Sequence, residues 1–215
     1  MTKKRILTTR DFCSKEIFSV TPIPHSNTSF SFPLQLIGKN NLKEMEREEV
    51  LIQHNFTSDE IQKSQAVNAD YKDLKGLNHG HLCPTGHMDT KEGKRATFTL
   101  TNAVPQDIIL NNGRWSNYEF QMMIKETKGC TSTYVITGAV PGNTYISNKR
   151  VNVPSHIWSA ACCLVDEEPA DAWGAIAEND KNEVVVLRLG DLEKRLTELY
   201  KGKTITLFNN ACPRK

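Results

Sequence analysis

A chain of 215 residues suits one domain with a proper core. Its 27 basic against 25 acidic residues leave a formal charge of +2, so a phosphate-binding function needs a local basic patch, not a global field. With 38% hydrophobic residues, a mean hydropathy of −0.48 and no run near the ~18 apolar residues of a membrane span, the sequence reads as polar and soluble.

Residues 1–40, rich in Ser, Thr, Pro and Asn, read as irregular or edge structure. "NNLKEMEREEVLIQHN" (40–55) has helical composition, with Leu42, Met45, Glu49 and Ile52 at roughly helical spacing. "TSDEIQKSQAVN" begins a second helix, with Thr57 or Ser58 as cap. "RATFTLTNAVPQ" (95–106) alternates Ala96, Phe98 and Leu100 with Thr97, Thr99 and Thr101, which predicts a strand ending near Pro105. "LNNGRWSNYEFQMMIKET" (110–127) predicts a helix entered through an Asn-Asn-Gly loop. "STYVITGAVPG", "HIWSAACCLV" and "EVVVLRL" predict three further strands. "GDLEKRLTELYKG" predicts a helix with Asp191 as N-cap and Gly202 past its end, and "TITLF" a last strand. Without repeats or a clear linker, 1–215 reads as one α+β domain.

None of Cys13, Cys83, Cys130, Cys162, Cys163 and Cys212 forms a CxxC pair, which argues against a zinc ribbon and leaves disulfides or free thiols. Adjacent Cys162 and Cys163 would each bond elsewhere. Two sequons, at Asn27 and Asn55, fit a secreted chain but also arise by chance. The N-terminus is basic without an apolar core, so it is not a signal peptide.

The stretch "NHGHLCPTGHM" (78–88) holds His79, His81, Cys83 and His87. On a strand the first three would share one face and could bind zinc with His87. Gly80 and Pro84 speak against a regular strand, and no second ligand cluster follows. A Gly/Pro-rich loop with partly exposed histidines is the plain alternative.

A third reading accounts for the next thirty residues. Asn78-His79-Gly80-His81-Leu82-Cys83-Pro84, then Thr101-Asn102-Ala103-Val104-Pro105-Gln106, then Asn111-Asn112-Gly113-Arg114-Trp115 through Glu119 follow in order with short gaps. Together they resemble the DNA/RNA non-specific endonucleases of the ββα-metal (His-Me finger) type. "YVITGAVPG", "VNVPSHIWSAACC" and "TITLFNNACP" resemble the animal endonuclease domain-containing branch, which is secreted and has disulfides. The resemblance covers 60–212 well and 1–59 poorly, which implies a shortened N-terminal part. Cys13, Cys130, Cys162, Cys163 and Cys212 fall at family-like places and Cys83 does not.

The resemblance implies a ββα-metal fold, a mixed or antiparallel sheet with flanking helices. It implies metal-dependent hydrolysis of DNA and RNA phosphodiester bonds, with Mg²⁺ as cofactor and Mn²⁺ or Ca²⁺ as alternatives. His81 takes the role of general base, since a histidine titrates near neutrality. Asn111 takes that of metal ligand, because Mg²⁺ keeps most of its waters and needs no carboxylate cage. Four-residue spacing puts Asn111, Trp115 and Glu119 on one side of a helix. Glu119 can then accept hydrogen bonds from waters around the metal, while Trp115 packs the helix onto the sheet. Asn102 and Gln106 would orient the His81 loop and metal shell, or make ordinary loop bonds. His79 stands where the family carries an arginine that stabilises the phosphate transition state, and neutral imidazole offers less. Lys94, Arg95 and Arg114 are candidates to replace it and to bind nucleic acid. The alternative is a degenerate, catalytically weak copy that binds nucleic acid or another partner. The resemblance also implies an extracellular address, with an intracellular one left open.

Overall fold

The computed structural model describes residues 5–6, 46–88 and 90–215. Its main sheet has the strand order β1-β4-β7-β8-β9: Arg5–Ile6 (β1), Ser132–Val140 (β4), His156–Val165 (β7), Glu168–Glu178 (β8) and Val185–Arg188 (β9). β1 pairs parallel with β4 and the other neighbours are antiparallel, so the sheet is mixed. Two antiparallel ribbons accompany it, Leu77–His81 (β2) with Ala103–Asp107 (β3), and Thr144–Ile146 (β5) with Val151–Val153 (β6). Short helices α1 (Glu48–Gln53), α2 (Ser58–Gln62) and α3 (Lys91–Ala96) precede a long helical run, α4, over 108–126. The last helix is α5 (Leu189–Leu199).

β7 is buried on both faces, and adjacent cysteines staple it to different layers. Cys162 faces α5 and the C-terminal tail and bonds Cys212. Cys163 faces α4 and bonds Cys130, just past that helix. The expectation that the two bond elsewhere holds. Cys83 is buried and joins neither bridge, and Cys13 lies outside the described residues. Leu189, Leu192 and Leu196 form the inner stripe of α5, each fully buried and each worth ~1.5–3 kcal/mol of apolar burial. That helix lies close because β8 has Gly174 beneath it, where a Cβ would overlap Leu192. A buried carboxylate ties the tail down: Glu193 takes a bidentate grip from Arg214 at 2.9 and 3.0 Å and accepts from the Leu207 amide at 2.7 Å.

Several expected elements shift. The 95–106 strand is displaced: 95–102 is helix end and turn, and β3 begins only at Ala103. The Thr97 and Thr99 hydroxyls bond back to the Lys94 and Ala96 carbonyls at 2.8 and 2.9 Å, a turn use of threonine that mimics strand alternation in sequence. "TITLF" is extended without a ladder, because the Leu207 and Ile205 amides are taken by Glu193 and by the Thr197 hydroxyl. α5 starts at Leu189, two residues before Asp191, which lies in its first turn. α4 starts ahead of the Asn-Asn-Gly segment, at Ile108, with Asp107 as its N-cap, whose carboxylate accepts from the Leu110 amide at 2.9 Å. Thr57, one of the two expected cap residues, caps α2, in a reciprocal box with Glu60. Of the helix expected over 40–55, the part from 46 is described, and Glu48–Gln53 is helical. β8 went unforeseen.

Candidate active site

β2, β3 and the start of α4 form one ββα unit. Alternation along β2 points His79 and His81 to one side and Gly80 to the other. A Cβ at Gly80 would overlap the Gln106 amide oxygen and lie 2.5 Å from Gln106 Cβ. Gln106 is 1% exposed and cannot move aside, so glycine is what lets the two strands carry it between them. The loop after His81 is clamped by Asn102. Its side chain accepts from the Cys83 amide at 3.0 Å and donates to the Cys83 and Thr97 carbonyls at 3.0 and 2.8 Å. Its backbone carbonyl accepts from the Leu82 amide at 2.9 Å.

α4 crosses this ribbon. Asn111 Nδ2 donates to Asn78 Oδ1 at 2.8 Å, which commits the amide nitrogen and leaves its carbonyl oxygen open. The helix contains two π turns, Asn111–Trp115 and Tyr118–Met122, and breaks helical geometry at Gly113. Asn182 fills the break: its Oδ1 accepts from the Arg114 amide at 2.9 Å and would crowd a Cβ at Gly113. Asn179, 5% exposed, bonds the Asp107 amide and the Pro105 and Pro154 carbonyls, and so fastens β3 to the main sheet. Trp115 is buried in the core beside Tyr118, as expected of a packing residue.

The electrostatics separate the titratable groups. The Glu119 side chain keeps a partly open surface, but burial of its carboxyl pushes the pKa up to about 8, against a hydrogen bond from Trp115 that lowers it. No cation pairs with it among the described residues. His81 is held below the usual imidazole range, by burial first and by neighbouring His79 second, so it is neutral and able to take a proton at neutral pH. Its ring meets Phe98 edge-on, centroids 5.1 Å apart. His79 is likewise lowered by burial, and its ring stacks on Tyr71 at 4.4 Å and 21°. Tyr71 is itself anchored by its hydroxyl to the Ala103 carbonyl at 3.2 Å.

The four residues weighed as a zinc set do not converge. His79 rests on Tyr71, His81 on Phe98, and Cys83 is buried beyond the strand. His87 is not a loosely exposed loop histidine: it is 9% exposed, and its Nε2 donates to the Glu119 carbonyl at 2.9 Å. Among the described residues no three His, Cys, Asp or Glu side chains gather as a metal cluster. Lys94, Arg95 and Arg114 are exposed, with Arg95 in an open ion pair with Glu46 at 3.5 Å. Sequence reading missed Tyr71, Phe98, Asn179 and Asn182 as parts of the site, and gave Asn78 no role. Asn78 was legible as the head of the first motif; the Asn179 and Asn182 partners lie some seventy residues away in the chain, beyond any local pattern.

An open Asn111 side-chain oxygen, with the Trp115-bonded carboxyl of Glu119 further along the same helix, fits a divalent cation that keeps most of its waters.

The family model described as DNA/RNA non-specific endonuclease matches residues 35–211. Mouse (Mus musculus) endonuclease domain-containing 1 protein is 34% identical over 158 residues, 69% of this chain and 30% of that protein. The Homo sapiens counterpart is 32% identical over 138 residues, 61% and 26%. Human mitochondrial endonuclease G is 31% identical over 107 residues, 44% of this chain and 35% of that protein. The chain thus spans about a third or less of the length of these relatives. A crystal structure of the EndoG/EndoGI complex, on the mechanism of EndoG inhibition, superposes with a TM-score of 0.54 at 19% identity, covering 80% of this chain and 76% of that one, a likeness of fold. The α+β, ββα-metal fold is that expected from the sequence.

Proposed function

From the premise that this chain belongs to the DNA/RNA non-specific endonuclease family, we propose that it is a metal-dependent hydrolase of DNA and RNA phosphodiester bonds with little sequence preference. The observation that carries the reading is the Asn78–Asn111 bond, which leaves one amide oxygen of α4 open beside the strand that bears a neutral His81. His81 takes a proton from the attacking water. Asn102 fixes the loop that aims it, and Gln106 fixes the strand beneath it. Asn111 would hold Mg²⁺, or Mn²⁺ or Ca²⁺ in its place, and Glu119, whose raised pKa the cation's charge would lower, would accept hydrogen bonds from surrounding waters. When bound, the cation neutralises charge building on the phosphate. Lys94, Arg95 and Arg114 supply contacts to the nucleic acid backbone. Two disulfides and an exposed sequon at Asn55 support an oxidising, extracellular address. On the same proposal, 1–215 is one domain.

The test is the Mg²⁺ dependence of plasmid cleavage by wild type and Asn111→Ala. The variant should need far more Mg²⁺ or lose activity while folding normally. Full rate with unchanged Mg²⁺ dependence would remove Asn111 from the site.

A second reading, a catalytically weak copy that binds nucleic acid or another partner, is favoured by one observation. His79, at the place of the expected arginine, is an exposed imidazole stacked on Tyr71 with its pKa lowered by partial burial, so it supplies no fixed charge to a phosphate.

A further inference from the structure

Phe98 has no place in the core. It lies two residues past α3, its amide donates to the Arg95 carbonyl at 3.1 Å, and 55% of its surface is open to solvent. A ring left in water contributes little to folding. What it does touch is the candidate base, through an edge-on contact with His81 at 87° between planes. With that contact made, more than half of the Phe98 surface stays open to solvent beside the candidate base. Exposed Lys94 and Arg95 lie in the last turn of α3, just before it. The Arg95–Glu46 pair is long and solvated, and a phosphate can displace it. Cations for the backbone and a ring for a base are the two parts of a platform for single-stranded nucleic acid. In a duplex the bases cover one another's faces, and only an unpaired base can present one to a protein ring.

Building on the nuclease reading above, we infer that Phe98 is a stacking platform for an unpaired base next to the scissile phosphate, so that single-stranded DNA or RNA is the preferred substrate. A stacked base holds the strand in register, so the contribution falls on binding and not on proton transfer at His81.

The experiment compares wild type, Phe98→Ala and Phe98→Trp on one labelled oligonucleotide, single-stranded and as a duplex. Binding is read by fluorescence anisotropy in EDTA, and KM and kcat are read in Mg²⁺. The wild type should prefer the single strand. Phe98→Ala should reduce that preference by about 10-fold, on the scale of one base–aromatic stack, with the loss in KM, and Phe98→Trp should restore it. Equal losses on both forms, no loss on either, or a fall in kcat with a shifted pH profile would overturn the inference, the last by making Phe98 a prop for the His81 ring. Anisotropy is read without catalysis. A chain that binds single strands through Phe98 yet cuts nothing would keep this inference and reject the nuclease reading.

Discussion

Replacing His79 by arginine should raise cleavage. In the wild type His79 helps a phosphate only when charged, and His81 acts as a base only when neutral. At the usual imidazole value of 6.5, about a quarter of the molecules would carry the His79 charge at pH 7. Burial lowers both histidines, so fewer do, and lowering the pH to charge His79 also charges His81. The wild-type rate should therefore be low and peak in a narrow range around the two titrations. Arginine is charged throughout, and its planar guanidinium can keep the stack on Tyr71 that now holds the imidazole. Losing one preorganised phosphate donor costs roughly 10²–10³ in rate, so regaining part of it through His79→Arg should give ~10-fold or more. The sign in pH follows: the variant's rate should rise as His81 loses its proton and then stay level, without the fall at higher pH expected of the wild type. The assay is initial rate of plasmid nicking against pH for both proteins, with circular dichroism to confirm folding. A folded variant no faster at any pH would refute the reasoning and show that another cation already serves the phosphate.

Gly80→Ala should cost ~1–3 kcal/mol of overpacking, because the added methyl meets Gln106 where it cannot move; combining it with Gln106→Ala should recover part of that in urea denaturation, and strict additivity would contradict the close approach. Asp70→Asn should cost ~2–3 kcal/mol, below the ~3–5 of a fully buried pair because the Arg150 side chain is 34% exposed. Burial alone would raise the Asp70 pKa, but hydrogen bonds from Arg150, Ser147 and the Val67 amide outweigh it and hold the carboxyl below 3.8. Its contribution is thus complete above the unfolded value and fades as pH falls through the lower folded one, so the gap between wild type and Asp70→Asn should close in acid. A gap that widens in acid would reverse the assignment.

The parts of the site that lay in contiguous motifs were legible. Three short blocks placed His81, Asn102, Gln106 and Asn111 on one ββα unit, because a ribbon and the helix crossing it are built from neighbouring sequence. The supports were not legible. Asn179 and Asn182 act on Pro105, Asp107 and Arg114 from the far end of β8, and nothing local to "NDKN" marks them. β8 escaped because "EPADAWGAIAE" lacks β-branched alternation: it is covered by neighbours on both sides, and its small residues, Gly174 above all, make room for α5. The threonines of 95–102 misled for the opposite reason, since a period of two can come from hydroxyls that close turns as readily as from a pleat. Where side chains take the backbone donors, as Glu193 and Thr197 do for 205–207, strand-like composition yields no strand.

The central claim is that His81 is the base of a metal-dependent nuclease, and plasmid cleavage by folded wild type and His81→Ala, each with Mg²⁺ and with EDTA, tests it most directly. The wild type should cut only with Mg²⁺, and the variant should lose roughly 10²–10⁴ of that rate while keeping its thermal transition. A folded His81→Ala protein that cuts at the wild-type rate, or a wild type that cuts equally well in EDTA, would contradict the account.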